Sequence, residues 1–296
     1  MLTLEQFFDR FPDEQSCRDY LVKLRWPKGV QCPRCENPKV YRLGKSAGWR
    51  WVCKVCQKNG YRFTPLVGTI FENTNYPLRT WFQVIYLMCQ SKKGMSALQI
   101  HRTIGSGSYR TAWYMCHRIR AAMDNDEFRA LLGEVEVDET FIGGKAKNRH
   151  GGGIGGGFRK NEGGTGASGK VTVIGAIARK GKVVAQVIDN ASASTLERFV
   201  HKTVSERVSL VSTDDWKGYA HIQRPHGAVH HHRGEYVRGN IHTANIDSFW
   251  ALLKRGVMGT FHNVSKKYLP FYLAEFSFRH NNRYHEDMFA AVVGAC

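Results

Sequence analysis

Three aspartates and one lysine are the residues whose types and spacing could do chemistry. Asp138 closes the stretch Glu134-Val135-Glu136-Val137-Asp138, and Asp214 closes Leu210-Val211-Ser212-Thr213-Asp214. Both runs carry β-branched residues and read as strands, with each carboxylate at or near the end of its run. Asp247 opens Asp247-Ser248-Phe249-Trp250-Ala251-Leu252-Leu253-Lys254, an amphipathic helix that carries Lys254 two turns along the same face. Carboxylates delivered from two strands and a helix can converge on a pair of hard divalent cations, Mg²⁺ or Mn²⁺. In-line attack on a phosphodiester needs that arrangement. Acids in or at the end of strands are costly unless they pair or bind metal.

Neighbouring acids compete for these roles. Strand alternation puts Glu136 on the face of Asp138 and Glu139 on the opposite face. Asp215 adjoins Asp214 in the turn that ends at Tyr219, but Asp214 directly ends the apolar run. The run His230-His231-His232 reads as a loop near the site or near a bound partner, because consecutive histidines in an extended chain do not point at one centre.

A second constellation lies upstream. Cys32-Pro33-Arg34-Cys35 and Cys53-Lys54-Val55-Cys56 are two Cys-x-x-Cys knuckles with 17 residues between them. That is zinc-ligand spacing, and Cys32, Cys35, Cys53 and Cys56 supply four thiolates, enough for a closed, structural site. Residues 25–63 hold ten Lys/Arg and one acid, with Trp26, Tyr41, Trp49, Trp51 and Tyr61 interleaved. A basic, aromatic ribbon suits DNA, although some of these rings must fill its small core.

The elements that position these groups follow from periodicity. Residues 1–24 read as a helical lead-in with Leu4, Phe7, Phe8 and Phe11 on one face, and residues 25–66 as the zinc ribbon. Residues 67–127 read as a helical region. It holds a helix from Leu78 to Met88, a second around Ser96–Arg102, and a third from Tyr109 to Met123 after the turn Gly105-Ser106-Gly107-Ser108. Helix, glycine-containing turn, helix is the helix-turn-helix outline. Ser91–Met123 has six Lys/Arg and no acid. Arg110, His117, Arg118 and Arg120 are the candidates to face DNA, and Ala112, Trp113, Met115, Cys116 and Ile119 the candidates for the core. Residues 128–296 read as an α/β domain: strands at Glu134–Ile142, Lys170–Arg179 and Lys182–Asp189, a helix at Ser192–Val204, a strand at Val208–Thr213, then the helix bearing Asp247. That is the outline of an RNase H-like, mixed-sheet core. Its insert, residues 143–169, contains twelve glycines and several basic residues but no Walker-type ending, and reads as a flexible basic loop.

The 296 residues carry 43 Lys+Arg against 25 Asp+Glu, a formal charge of +18. Such an excess implies a polyanionic partner, most often nucleic acid. No apolar run reaches the length of a membrane span; Trp81–Cys89 is the nearest and is too short. Met1–Glu5 shows no signal-peptide pattern. The expectation is a cytoplasmic, nucleoid-associated protein with reduced thiols and no membrane partner.

At this point the motifs become specific. Val135-Glu136-Val137-Asp138-Glu139-Thr140-Phe141-Ile142-Gly143-Gly144-Lys145 resembles the first catalytic motif of bacterial insertion-sequence DDE transposases, in the branch with an N-terminal zinc ribbon. Thr213-Asp214-Asp215-Trp216-Lys217-Gly218-Tyr219 resembles the second. The stretch from His242 through Asp247-Ser248-Phe249-Trp250 to Lys254-Arg255-Gly256 resembles the third, and Phe276–Arg283 the C-terminal signature. Gly68-Thr69-Ile70-Phe71 and Leu78-Arg79-Thr80-Trp81-Phe82 match the link after the ribbon.

The resemblance implies divalent-metal-dependent cleavage at an element's ends and transfer of the freed 3′-hydroxyl to target DNA. It implies Asp138, Asp214 and Asp247 as metal ligands, Lys254 on a phosphate, and a dimer or larger assembly on double-stranded DNA. The third acid is commonly Glu in such enzymes; here Asp247 is one methylene shorter, and nearby Asn245 is its rival. The spacing of seven to Lys254 favours Asp247. Two other classes stay open: a transposase-derived DNA-binding regulator, and an RNase H-like nuclease without strand transfer.

Overall fold

The computed structural model describes residues 2–44, 49–124, 130–143 and 170–296. They divide into two units, Met1–Asp126 together with Arg283–Cys296, and Glu127–Asn282. The glycine-rich stretch lies outside the described residues, apart from Gly143.

In the first unit, the lead-in is two helices, α1 (Leu4–Arg10) and α2 (Glu14–Arg25), started by Thr3 and Asp13 as capping residues. Phe7 and Phe11 are buried, whereas Leu4 and Phe8 stay exposed, so the lead-in buries only half of its expected face. A small antiparallel sheet follows, of β1 (Val40–Arg42), β2 (Trp51–Cys53) and β3 (Tyr61–Phe63) in that order. Its core is Cys32, Trp51, Cys53 and Phe63, while Tyr41 faces solvent.

Three helices come next: α3 (Leu78–Gln90), α4 (Ala97–Ile104) and α5 (Tyr109–Ala122). Gly105 ends α4 at φ +63°, a left-handed conformation that favours glycine. Ser108 restarts the chain by accepting the Thr111 amide at 3.2 Å.

The C-terminal helix Met288–Ala295 belongs to this same unit, not to the α/β domain to which the sequence reading assigned it. The reason is aromatic packing. Phe289 lies 5.4 Å from both Phe11 and Phe82, and 5.9 Å from Phe7, between ring centroids.

The second unit is built on a five-stranded sheet of β4 (Glu134–Ile142), β5 (Val171–Ala178), β6 (Val183–Ile188), β7 (Leu210–Asp214) and β8 (His226–Val229). The order is β6-β5-β4-β7-β8, with β4–β5 and β5–β6 antiparallel and β4–β7 and β7–β8 parallel. This mixed α/β sheet, with β4 at its centre, has the strand order of an RNase H-like core. Three helices complete it: α6 (Ala193–Thr203), α7 (Ala244–Gly256) and α8 (Leu269–Asn281).

Alternation along the strands feeds two apolar layers. On one face Val135, Val137, Ile174 and Val211 pack with Leu196, Phe199 and Val200 of α6. On the other, Ile142, Val173 and Ile177 pack with Ile246, Trp250 and Leu253 of α7 and Leu273 and Phe276 of α8. Asn281, at the end of α8, caps the outer edge of β6 like a short extra strand. Its Oδ1 accepts the Val183 amide at 2.7 Å, and its Nδ2 donates to the Val183 carbonyl at 3.1 Å. No helix among the described residues is long and apolar enough to cross a membrane.

Candidate functional site

Asp138 lies on the central strand, paired with Gly175 of β5. The indole of Trp250 lies over that glycine: a Cβ at 175 would come within 2.6 Å of the ring. Trp250 Nε1 donates to Asp138 Oδ2 at 3.0 Å, so the missing side chain on β5 lets a residue of α7 reach β4. Asp214 ends β7, beside β4, and its Oδ1 accepts the Trp216 amide at 3.2 Å. Asp247 lies in the first turn of α7, exposed, with its Oδ2 accepting from Thr243 Oγ1 at 3.0 Å. Lys254 is exposed two turns further along.

These acids feel one another. The Asp138 carboxyl is pushed well above the usual range, first by burial, then by the charges of Glu139, Asp214 and Asp247. Asp214 is pushed up by burial and by Asp215, against the Trp216 amide, His231 and His232. Oxygen donors such as Asp138 and Asp214, whose charged forms are disfavoured by burial and by neighbouring carboxylates, fit hard divalent cations. Among the described residues, however, only the four cysteines are already drawn together as a metal-binding group.

The competing acids have other partners. Glu136 is fully buried, with both oxygens engaged by Arg179 and by the start of α7. Glu139 accepts the hydroxyl of the buried Tyr219, and burial and Asp214 raise its carboxyl. That bond ties the first motif to the second. Gly218, inside the second motif, leaves room for this turn, because a Cβ there would meet the Trp216 ring at 2.6 Å and Leu196 at 2.7 Å. Asp215 lies 3.2 Å from His230 Nδ1, and that contact holds its carboxyl below the usual range. The histidine run therefore begins beside the second motif.

In the ribbon, Cys32 and Cys56 Sγ atoms are 3.8 Å apart and Cys35 and Cys53 Sγ atoms 3.7 Å. All four sulfurs lie within 4.8 Å of one another. A tetrahedral zinc with Zn–S near 2.3 Å sets sulfurs about 3.8 Å apart, so the cluster has the dimensions of a structural zinc site.

Residues 130–281 match the family model of the ISXO2-like transposase domain. The chain belongs to the ISXO2-like transposase family. Residues 12–59 match a transposase zinc-ribbon domain. The chain is also 29% identical over 279 residues to a protein of Halobacterium salinarum described as an uncharacterized protein in transposable element ISH50, with 91% of each covered. No solved structure matches it.

The transposase-domain match nearly coincides with the second structural unit, so Asp138, Asp214, Asp247 and Lys254 all fall inside it. The DNA-facing expectation for α5 needs correction. His117 and Arg120 are buried, at 7% and 1% exposure, and only Arg110 is fully on the surface. Arg118 is half-buried, its guanidinium over the rings of Trp81 and Tyr114. The apolar stripe Ala112, Met115, Cys116, Ile119 accounts for one side of α5, but the helix is buried over a wider arc than that stripe. Trp113, expected in the core, is half-buried.

The bonds from Glu136 to the first amides of α7 are not legible in the sequence. The only signal there is an acid on the face of Asp138, which is also what a third metal ligand would look like.

Proposed function

We propose that this protein is a DNA transposase that binds the ends of an insertion element and catalyses metal-dependent cleavage and strand transfer. The observation that carries this reading is the placement of Asp138, Asp214 and Asp247 on β4, β7 and α7 of the unit that matches the transposase-domain model. Family membership supports the substrate, and the charge of +18 supports a polyanion.

Asp138, Asp214 and Asp247 would hold the divalent cations, which when bound polarise the phosphodiester and favour deprotonation of the attacking hydroxyl. Asp247 is the better third ligand than Asn245. The Asn245 amide donates to Glu136 Oε1 at 2.7 Å, whereas the Asp247 charge reaches Asp138. Trp250 holds one oxygen of Asp138 through its indole N–H. Lys254 offers a charge-assisted hydrogen bond to a DNA phosphate. The zinc ribbon and α4–α5 hold DNA away from the chemistry, and joining two ends calls for a dimer or larger assembly on DNA.

Incubation with end-sequence DNA and Mg²⁺ tests the reading. Joined products support a transposase. Hydrolysis alone indicates a nuclease, and binding alone a regulator.

A further inference from the structure

Glu136 is a fully buried carboxylate in the middle of the central strand. Burying a charge is costly unless it is paired and fully hydrogen-bonded, and Glu136 is both. Oε1 accepts from Arg179 Nε at 2.9 Å and from Asn245 Nδ2 at 2.7 Å. Oε2 accepts the main-chain amides of Asn245 at 2.7 Å and Ile246 at 3.1 Å. Those two amides belong to the first turn of α7, where helical amides lack partners within the helix. Thr243, which precedes α7, makes no side-chain cap of its own. The cap is supplied from β4, more than 100 residues earlier in the chain. Arg179 completes the arrangement. It also pairs with Glu134, and its Nη2 donates to the His242 carbonyl at 3.3 Å, just before the helix.

We propose that Glu136 is a positioning residue that pins the N-terminus of α7 to the central strand and thereby sets Asp247 against Asp138. This rests on the reading of Asp138, Asp214 and Asp247 as the metal-binding acids. The geometry gives it direct leverage. Glu136 is two residues from Asp138 on the same face of β4, and its amide partners are one and two residues from Asp247. Glu136→Gln keeps one acceptor oxygen and replaces the other with a donor, which cannot serve the helix amides or Arg179.

The test is Glu136→Gln in the full-length chain, with two readouts. Amide hydrogen exchange without metal or DNA should speed up across residues 244–250 while β4 and β7 stay protected. In cleavage of end-sequence DNA, the half-saturating Mg²⁺ concentration should rise about tenfold or more, the scale seen when groups behind metal ligands are removed. Activity should recover at high Mg²⁺, unlike that of Asp138→Asn.

Folded Glu136→Gln with unchanged exchange and unchanged Mg²⁺ requirement would overturn the proposal. So would inactivity at every Mg²⁺ concentration, which would make Glu136 a ligand. If Glu136→Gln does not fold, Asn245→Ala removes one donor to Oε1 and should move both readouts in the same direction by less; no movement overturns the proposal. Full activity of Asp138→Asn would instead remove the reading on which the proposal rests, while the exchange measurement would still report on the anchor.

Discussion

The indole N–H of Trp250, on α7, donates to the Asp138 carboxyl on β4 across 3.0 Å, passing over the bare backbone of Gly175 on the neighbouring strand. One residue type on each of three elements makes this possible. A tryptophan supplies the reach and the donor, a glycine the room, and an aspartate the acceptor. Together with the bonds from Glu136 on β4 to the first amides of α7, it ties the helix that carries Asp247 to the strand that carries Asp138 at two points.

Gly175→Ala should therefore push the indole off its seat. Overpacking of this kind costs about 1–3 kcal/mol. Trp250→Phe keeps most of the apolar contact but loses the donor, at about 1–2 kcal/mol. Urea unfolding measures both. DNA cleavage should fall in both variants, because the orientation of Asp138 depends on the same contact.

Purified, reduced protein should carry one zinc per chain, held by Cys32, Cys35, Cys53 and Cys56. Cys35→Ser or a strong chelator should unfold the ribbon and weaken DNA binding while the α/β unit stays folded. Elemental analysis with circular dichroism checks this. Zinc-free protein with an intact ribbon would contradict it.

The C-terminal helix should matter to the N-terminal unit. Phe289 packs among Phe7, Phe11, Tyr20 and Phe82, so Phe289→Ala should cost about 3–5 kcal/mol. Limited proteolysis should then cut first within residues 1–124. Cuts confined to the α/β unit would mean that the helix belongs there instead.

The two ends of α5 should respond differently to truncation. Arg110→Ala, at an exposed position, should leave stability nearly unchanged and reduce the salt dependence of DNA binding by about one counterion. Arg120→Ala removes a side chain that is 1% exposed and should cost about 2–4 kcal/mol before any effect on DNA is seen. Binding titrations across a salt series, paired with thermal melts, separate the two.

These contrasts mark what could be read from the sequence. The strands bearing Asp138 and Asp214 were legible because β-branched runs end at each acid, and the cysteine knuckles because ligand spacing is local. The helix bearing Asp247 was legible from its apolar face. What escaped depends on distant partners. Strand β8 is four residues long and includes Gly227, where a Cβ would clash with Ile241 at 2.4 Å; nothing within that stretch signals a strand. The burial of His117 and Arg120 was hidden because periodicity shows which side of a helix is apolar, not how much of its circumference is covered. Glu136 and Asp138 have the same charge and the same face, and only the arrival of the α7 amides distinguishes an anchor from a candidate ligand.

The most direct measurement is cleavage and joining of end-sequence DNA in Mg²⁺ by Asp138→Asn, Asp214→Asn and Asp247→Asn, each compared with its own DNA affinity. Each substitution keeps side-chain size and removes one negative charge from the cluster. Cleavage and joining should both be abolished while DNA binding stays close to that of the unaltered protein, because the substituted acids offer no positive charge to a phosphate. Full strand transfer by Asp138→Asn would contradict the catalytic assignment outright.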